Sequence, residues 1–147
     1  FCRIADREIR AREPIVRPDV VIVQDATLLA VVDVFQGLAD DGWVVVNTAR
    51  ALDALGLDAL AARLPAGHVR AVPATELALE HVGRPVPNAV LLGALAALTG
   101  VVTLDAVERA IGERFAATVA ARNVAAARAA HALILGTARR PTKEPRI

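Results

Sequence analysis

The chain has 147 residues, a formal net charge of +1 and a hydrophobic fraction of 55%, while only 3% of its residues are aromatic. This length predicts one domain, and the composition predicts a core of many small side chains, mainly Ala, Val and Leu. The near-neutral charge argues against a nucleic-acid partner, and the absence of a long uninterrupted apolar run argues against a membrane-spanning helix.

Several catalytic classes are excluded by residue usage. Serine is absent, which removes a Ser-His-Asp triad. The single Cys2 cannot form an intrachain disulfide or ligate an iron–sulfur cluster alone, and it indicates a reducing compartment, the cytoplasm. The three histidines, His68, His81 and His131, lack the spacing of metal ligands.

The first half of the chain predicts alternating strands and helices. Residues 1–10 alternate loosely and predict a half-exposed strand. A β-branched run within 18–25 predicts a strand that is buried on both faces, followed by a helix over 26–38. The pattern then repeats, with predicted strands at 43–48 and 68–73 and predicted helices at 49–64 and 75–81. Such a succession favours a parallel sheet with right-handed crossovers.

From residue 83 onward the sequence predicts only helices. Two prolines at 85 and 87 predict an extended backbone before the next helix. We place Asn88 as the N-cap of that helix, which is all apolar and is predicted to be buried on every side. Gly93 within it allows another backbone to come close. Thr103 is placed as the N-cap of the next helix, and a last helix is predicted over 118–135.

The predicted fold is therefore α/β, with a mostly parallel sheet, flanking helices and a C-terminal helical extension. We assign residues 1–136 to one domain and 137–147 to an extended tail, because prolines and charges crowd the end of the sequence.

Polar side chains follow each predicted strand, where ligands approach a parallel sheet. They are Gln24, Asp25, Asn47, Thr48 and Thr75. We expect these side chains to form one polar rim. Capping of the following helices and turn formation explain the same residues equally well, and the two roles are compatible because a helix N-terminus also favours anions.

Four segments, in this order, resemble the gamma component of the 2-oxoacid:ferredoxin (acceptor) oxidoreductases, the pyruvate:ferredoxin oxidoreductase superfamily. They are PDVVIVQDATLL at 18–29, DGWVVVNT at 41–48, AVPATELA at 71–78 and GRPVPN at 83–88. Arg114 and Phe115, with Asn123, resemble the closing helices. The Gly-rich loop with which members of the family usually begin is not found in the sequence, and we expect that a first strand, loop and helix precede the given residues.

The resemblance implies a multi-subunit enzyme that oxidatively decarboxylates a 2-oxoacid to an acyl-CoA. It implies thiamine diphosphate, Mg²⁺ and [4Fe–4S] clusters on partner subunits, CoA as co-substrate, and ferredoxin or another electron acceptor as a partner. This chain alone would then bind no cofactor and hold no catalytic or metal-ligating residue. Its candidate positions toward the partner, CoA or substrate are Gln24, Asp25, Asn47, Thr75 and Asn88.

Two alternatives stay open at this point. The chain is a non-catalytic α/β interaction or assembly module, or it is a small-molecule-binding α/β protein in its own right. Co-purification with thiamine-binding and cysteine-rich chains distinguishes the oxidoreductase subunit from both.

Overall fold

The computed structural model describes residues 1–138, except for the side chains of 137 and 138. In this part of the chain the strands are β1 (Val20–Val23), β2 (Trp43–Asn47) and β3 (Val69–Val72), the α-helices are α1 (Asp58–Arg63), α2 (Ala74–Val82), α3 (Asn88–Thr99), α4 (Leu104–Arg114) and α5 (Ala117–Ala138), and 3₁₀ turns cover Ala26–Ala30 and Asp53–Leu55. The predicted tail lies outside the described residues, apart from 137 and 138, which end α5.

The three strands form one parallel sheet in the order β1-β2-β3, as the sequence predicts. Val20 pairs with Trp43, and Val44 pairs with Val69. Within β2, Val44, Val45 and Val46 are completely buried. The central strand therefore has the burial on both faces that its unbroken β-branched run indicates.

Each face of the sheet is covered by different elements. On one face Val45 and Val72 pack with residues of α2, α3 and α5. On the other face Val44 and Val46 pack with the loops, the 3₁₀ turns and α1, which connect the strands. Among residues 1–138, no helix combines the length and apolar character that a membrane span requires.

The predicted close approach at Gly93 is confirmed. A β-carbon at this position would overlap the backbone of Ala127 in α5. Thr103 caps α4 as predicted, because its hydroxyl accepts the Ala106 N–H at 3.1 Å.

Four local predictions are wrong. Residues 1–10 form no strand: most of them are exposed, and no β partner pairs with them among the described residues. Only β2 is buried on both faces, because β1 is an edge strand and Ile22 is 38% exposed. The predicted cap Asn88 is instead the first residue of α3; Pro87 occupies the cap position and no side chain caps the helix. That helix is also not buried all round, since Leu92 is 42% exposed.

The two helices predicted between the strands are much shorter than expected. Over 26–38 only a 3₁₀ turn forms, because β-branched valines disfavour helix and Asp33 instead accepts the Phe35 N–H in a local turn. Gly37 then takes a positive φ of 75°. Within the helix predicted over 49–64, Gly56 likewise takes a positive φ, of 70°. It interrupts the helix there, so only a 3₁₀ turn and α1 form.

Candidate functional site

The side chain of Asn47 connects the ends of all three strands. Its Nδ2 donates to the Gln24 carbonyl at 2.9 Å and to the Thr75 hydroxyl at 2.8 Å. Its Oδ1 accepts the Thr75 N–H at 3.1 Å. Gln24 follows β1, Asn47 ends β2 and Thr75 lies in the first turn of α2, just after β3. The expected polar rim is present at the carboxyl edge of the sheet.

Asp25 caps the first 3₁₀ turn. One carboxylate oxygen, Oδ1, accepts the Thr27 N–H at 2.9 Å and the Thr27 hydroxyl at 2.7 Å. These two hydrogen bonds, with the hydroxyl as the larger effect, lower the pKa of Asp25. The carboxylate is therefore ionised near neutral pH and acts only as an acceptor.

The rim encloses an open cleft of about 450 Å³. Its lining residues are Gln24, Asp25, Ala26, Thr27, Asn47, Thr75, Pro85 and Pro87. Four of the five candidate positions line this cleft. Asn88 does not line it, although its neighbour Pro87 does. Both prolines in the lining were missed as site residues, because their sequence signal was interpreted only as an extended approach to α3.

A second groove of about 590 Å³ adjoins this cleft, since Ala26 and Thr27 line both. Its remaining lining is mostly apolar and consists of Leu29, Ala30, Thr48, Arg50, Ala54 and Leu55. The guanidinium of Arg50 donates to the Ala54 carbonyl at 2.6 Å, which holds the side chain along the groove.

The cleft offers hydrogen-bonding groups and no obvious catalytic group. Its polar groups are amide, hydroxyl and carboxylate, and neither a histidine nor a cysteine lines it. His68 lies at the opposite edge of the sheet, where its Nδ1 is 3.1 Å from the carbonyls of both Asp41 and Gly42. In residues 1–138 no three His, Cys, Asp or Glu side chains are grouped as metal ligands would be.

Comparison with known proteins assigns the chain to a family. The family model described as pyruvate ferredoxin/flavodoxin oxidoreductase matches residues 1–133. The chain belongs to this family. The resemblance noted in the sequence is thereby confirmed, and the parallel sheet with its flanking helices confirms the predicted α/β fold class.

Curated relatives of the family are similar over most of this chain. A protein named pyruvate synthase subunit PorC, from Methanothermobacter marburgensis, is 40% identical over 131 residues, which are 89% of this chain and 68% of that protein. The pyruvate/ketoisovalerate oxidoreductases common subunit gamma of Thermococcus kodakarensis is 42% identical over 127 residues, which are 86% of this chain and 67% of that protein.

A solved structure in the family has the same fold. The crystal structure of the pyruvate oxidoreductase subunit PORC from Thermotoga maritima superimposes with a TM-score of 0.66 at 34% identity. The match covers 80% of this chain and 64% of the Thermotoga chain. The chain thus spans about two thirds of the length of its relatives.

Proposed function

We propose that the chain is the gamma component of a 2-oxoacid:acceptor oxidoreductase. The complex would oxidatively decarboxylate a 2-oxoacid to an acyl-CoA and pass the electrons to ferredoxin or a similar acceptor. The observation that carries the proposal is the 40% identity, over 89% of this chain, to a subunit of a pyruvate synthase.

Thiamine diphosphate, Mg²⁺ and the iron–sulfur clusters are proposed to lie on partner subunits. A [4Fe–4S] cluster needs four thiolates, and the sequence has one cysteine. This chain by itself therefore does not fit a [4Fe–4S] cluster, and no chemical step is assigned to it.

The proposed role of the chain is to pack on the thiamine-binding subunit and to shape access for CoA or substrate. Gln24, Asp25, Asn47, Thr75 and Asn88 are proposed to face that subunit. Leu28 and Val86, the sequence neighbours of cleft residues, leave apolar surface for such a contact, since they are 42% and 45% exposed.

We propose a cytoplasmic complex, because the single cysteine can form no intrachain disulfide and such disulfides are rare in that compartment. The runner-up function is that of a non-catalytic assembly module. It is favoured by the lining of the cleft, which has no group suited to general base catalysis other than a carboxylate held in a cap.

The test is affinity purification of the tagged full chain from its own cells. We expect co-purifying chains that carry thiamine diphosphate and iron, and CoA-dependent reduction of a viologen dye by one of pyruvate, 2-oxoisovalerate or 2-oxoglutarate. A chain that purifies alone contradicts the proposal. A complex whose turnover is unchanged after removal of this chain favours the assembly module instead.

A further inference from the structure

Exposed apolar side chains are concentrated beside the second groove. Leu28, Val31 and Val32 are 42%, 76% and 55% exposed, because the helix that the sequence predicts over 26–38 does not form. They flank Leu29 and Ala30 in the sequence, which line the groove. A partner that covers these side chains removes apolar area from water, which is favourable.

The groove also presents a positive charge. Among the described residues that line it, Arg50 alone carries a charge. One guanidinium nitrogen donates to the Ala54 carbonyl at 2.6 Å, which fixes the position of the group. A guanidinium has five N–H donors, so others remain for a carboxylate. The charge of the groove is therefore complementary to an acidic side chain.

The main-chain donors of the lining favour a helix over an extended segment. The Thr27 N–H donates to Asp25 at 2.9 Å, and the Ala54 N–H donates to Asp53 at 2.7 Å. These donors cannot pair with a second main chain, and an extended segment in the groove would bury polar groups without partners. A helix brings its own main-chain hydrogen bonds and needs only side-chain contacts.

We propose that the second groove binds an amphipathic helix of a partner subunit. The apolar face of this helix packs on the leucine and valine side chains of the groove and its flank, in the helix-in-groove mode. A Glu or Asp of the helix pairs with Arg50. The inference rests on the proposed function, which supplies the partner subunit.

Two substitutions address the two halves of this contact, and each has a matched control. Val31→Asp places a charge on the apolar flank, and its control is Val101→Asp, at a residue that is 52% exposed between α3 and α4. Arg50→Glu reverses the charge in the groove, and its control is Arg109→Glu, at an exposed residue of α4. Thermal unfolding of each variant checks that the fold is kept.

The dissociation constant of the chain from the assembled complex is measured for every variant. We expect Val31→Asp and Arg50→Glu to raise it about tenfold or more, because one buries a charge in an apolar contact and the other opposes two like charges. The two controls should stay within about twofold of the wild type. Added salt should weaken the binding of the wild type more than that of Arg50→Glu.

Photo-cross-linking identifies the occupant. Benzoylphenylalanine replaces Val31 in one sample and Val32 in another, and the intact complex is irradiated and analysed by mass spectrometry. We expect cross-links to one segment of one partner subunit, at residues three or four apart, with a Glu or Asp on the same face.

Three results would overturn the inference: no cross-link in the intact complex, a cross-link to a second copy of this chain, or cross-links to residues two apart, as in an extended segment. Dissociation constants of Val31→Asp and Arg50→Glu that equal those of their controls would overturn it as well. Failure of the wild-type chain to assemble with any partner would instead reject the proposed function.

Discussion

Gly93 of α3 lies directly against the backbone of Ala127 in α5. A β-carbon at position 93 would overlap the carbonyl group of Ala127. Other small side chains are buried around this contact. They are Ala89 and Ala96 on the same side of α3, and Ala120 on α5. At Gly93 the two longest helices of the described chain therefore meet backbone to backbone, and a larger residue at this position must force them apart.

We expect Gly93→Ala to destabilise the chain by about 1–3 kcal/mol. Overpacking typically costs about 1–3 kcal/mol and occasionally more, and a clash with backbone atoms belongs to the upper part of this range or above it. After the gain of about 1 kcal/mol in helix propensity is subtracted, the expected net loss remains. Urea unfolding of the full chain measures the change. The control is Gly112→Ala in α4, where an added β-carbon meets nothing within 4 Å; this variant should gain about 0.5–1 kcal/mol. Equal effects at the two positions would contradict the close-contact interpretation.

The strands could be predicted from the sequence because Val-rich runs such as VVIV at 20–23 and VVV at 44–46, bounded by polar residues, are typical of buried strands in a parallel sheet. The helices between them could not. Val31 and Val32 match a helical spacing, but they are β-branched and 76% and 55% exposed, so no core contact offsets their low helix propensity. Local hydrogen bonds of Asp33 and the positive φ of Gly37 then decide the backbone.

The ion pair between Glu108 of α4 and Arg128 of α5 should make stability depend on acid pH. Two hydrogen bonds, of 2.6 and 2.7 Å, join the two groups. The bond to Arg128 is the main cause that lowers the pKa of Glu108 below its ordinary value of 4.5, with a smaller contribution from His131. The stabilisation is therefore complete above pH 4.5 and is lost as the pH falls through the lowered value.

Glu108→Gln tests this pair. The difference in free energy of unfolding between wild type and variant should be constant from neutral pH to about pH 5, and should shrink at lower pH. The control is Glu113→Gln, which removes the charge of an exposed residue of the same helix and should change the free energy of unfolding at neutral pH by less than about 0.5 kcal/mol. A Glu108→Gln variant whose deficit persists unchanged at pH 3 would rule out the ion pair as the cause.

Trp43 and His68 form a stacked pair at the edge of the sheet opposite the cleft. Their ring centroids are 3.4 Å apart and the planes differ by 13°. Because both partners of the His68 Nδ1 are carbonyls, this nitrogen carries the proton. We expect His68→Ala to cost about 1–2 kcal/mol, from the lost stacking and hydrogen bonding.

Intrinsic fluorescence reports this change directly, because Trp43 is the single tryptophan of the sequence. Emission should shift to longer wavelength in His68→Ala as water reaches the indole face. His81→Ala, in α2, is the control and should leave the emission unchanged. An unshifted spectrum in His68→Ala would show that the stack does not shield the indole.

The candidate cleft was predictable in part. Parallel strands bring their carboxyl ends together, so the convergence of Gln24, Asn47 and Thr75 follows from topology alone. The hydrogen bonds of Asn47 do not follow from topology, because they depend on the strand register that places Asn47 opposite Val72. Asn88 fails as a cap for a local reason, since Pro87 already occupies the position that the capping rule assigns to a polar side chain.

Asn47→Ala and Asn88→Ala should therefore differ sharply in stability. Removing the Asn47 amide breaks three hydrogen bonds across the sheet edge, and we expect a loss of about 2–3 kcal/mol in urea unfolding. Asn88 is exposed and makes no capping bond, so its replacement should change stability by less than about 0.5 kcal/mol. A loss near 1 kcal/mol at Asn88, the usual value of an N-cap, would show that its side chain caps α3 after all. A stable Asn88→Ala complex with reduced CoA-dependent turnover would instead support its proposed place at the partner surface.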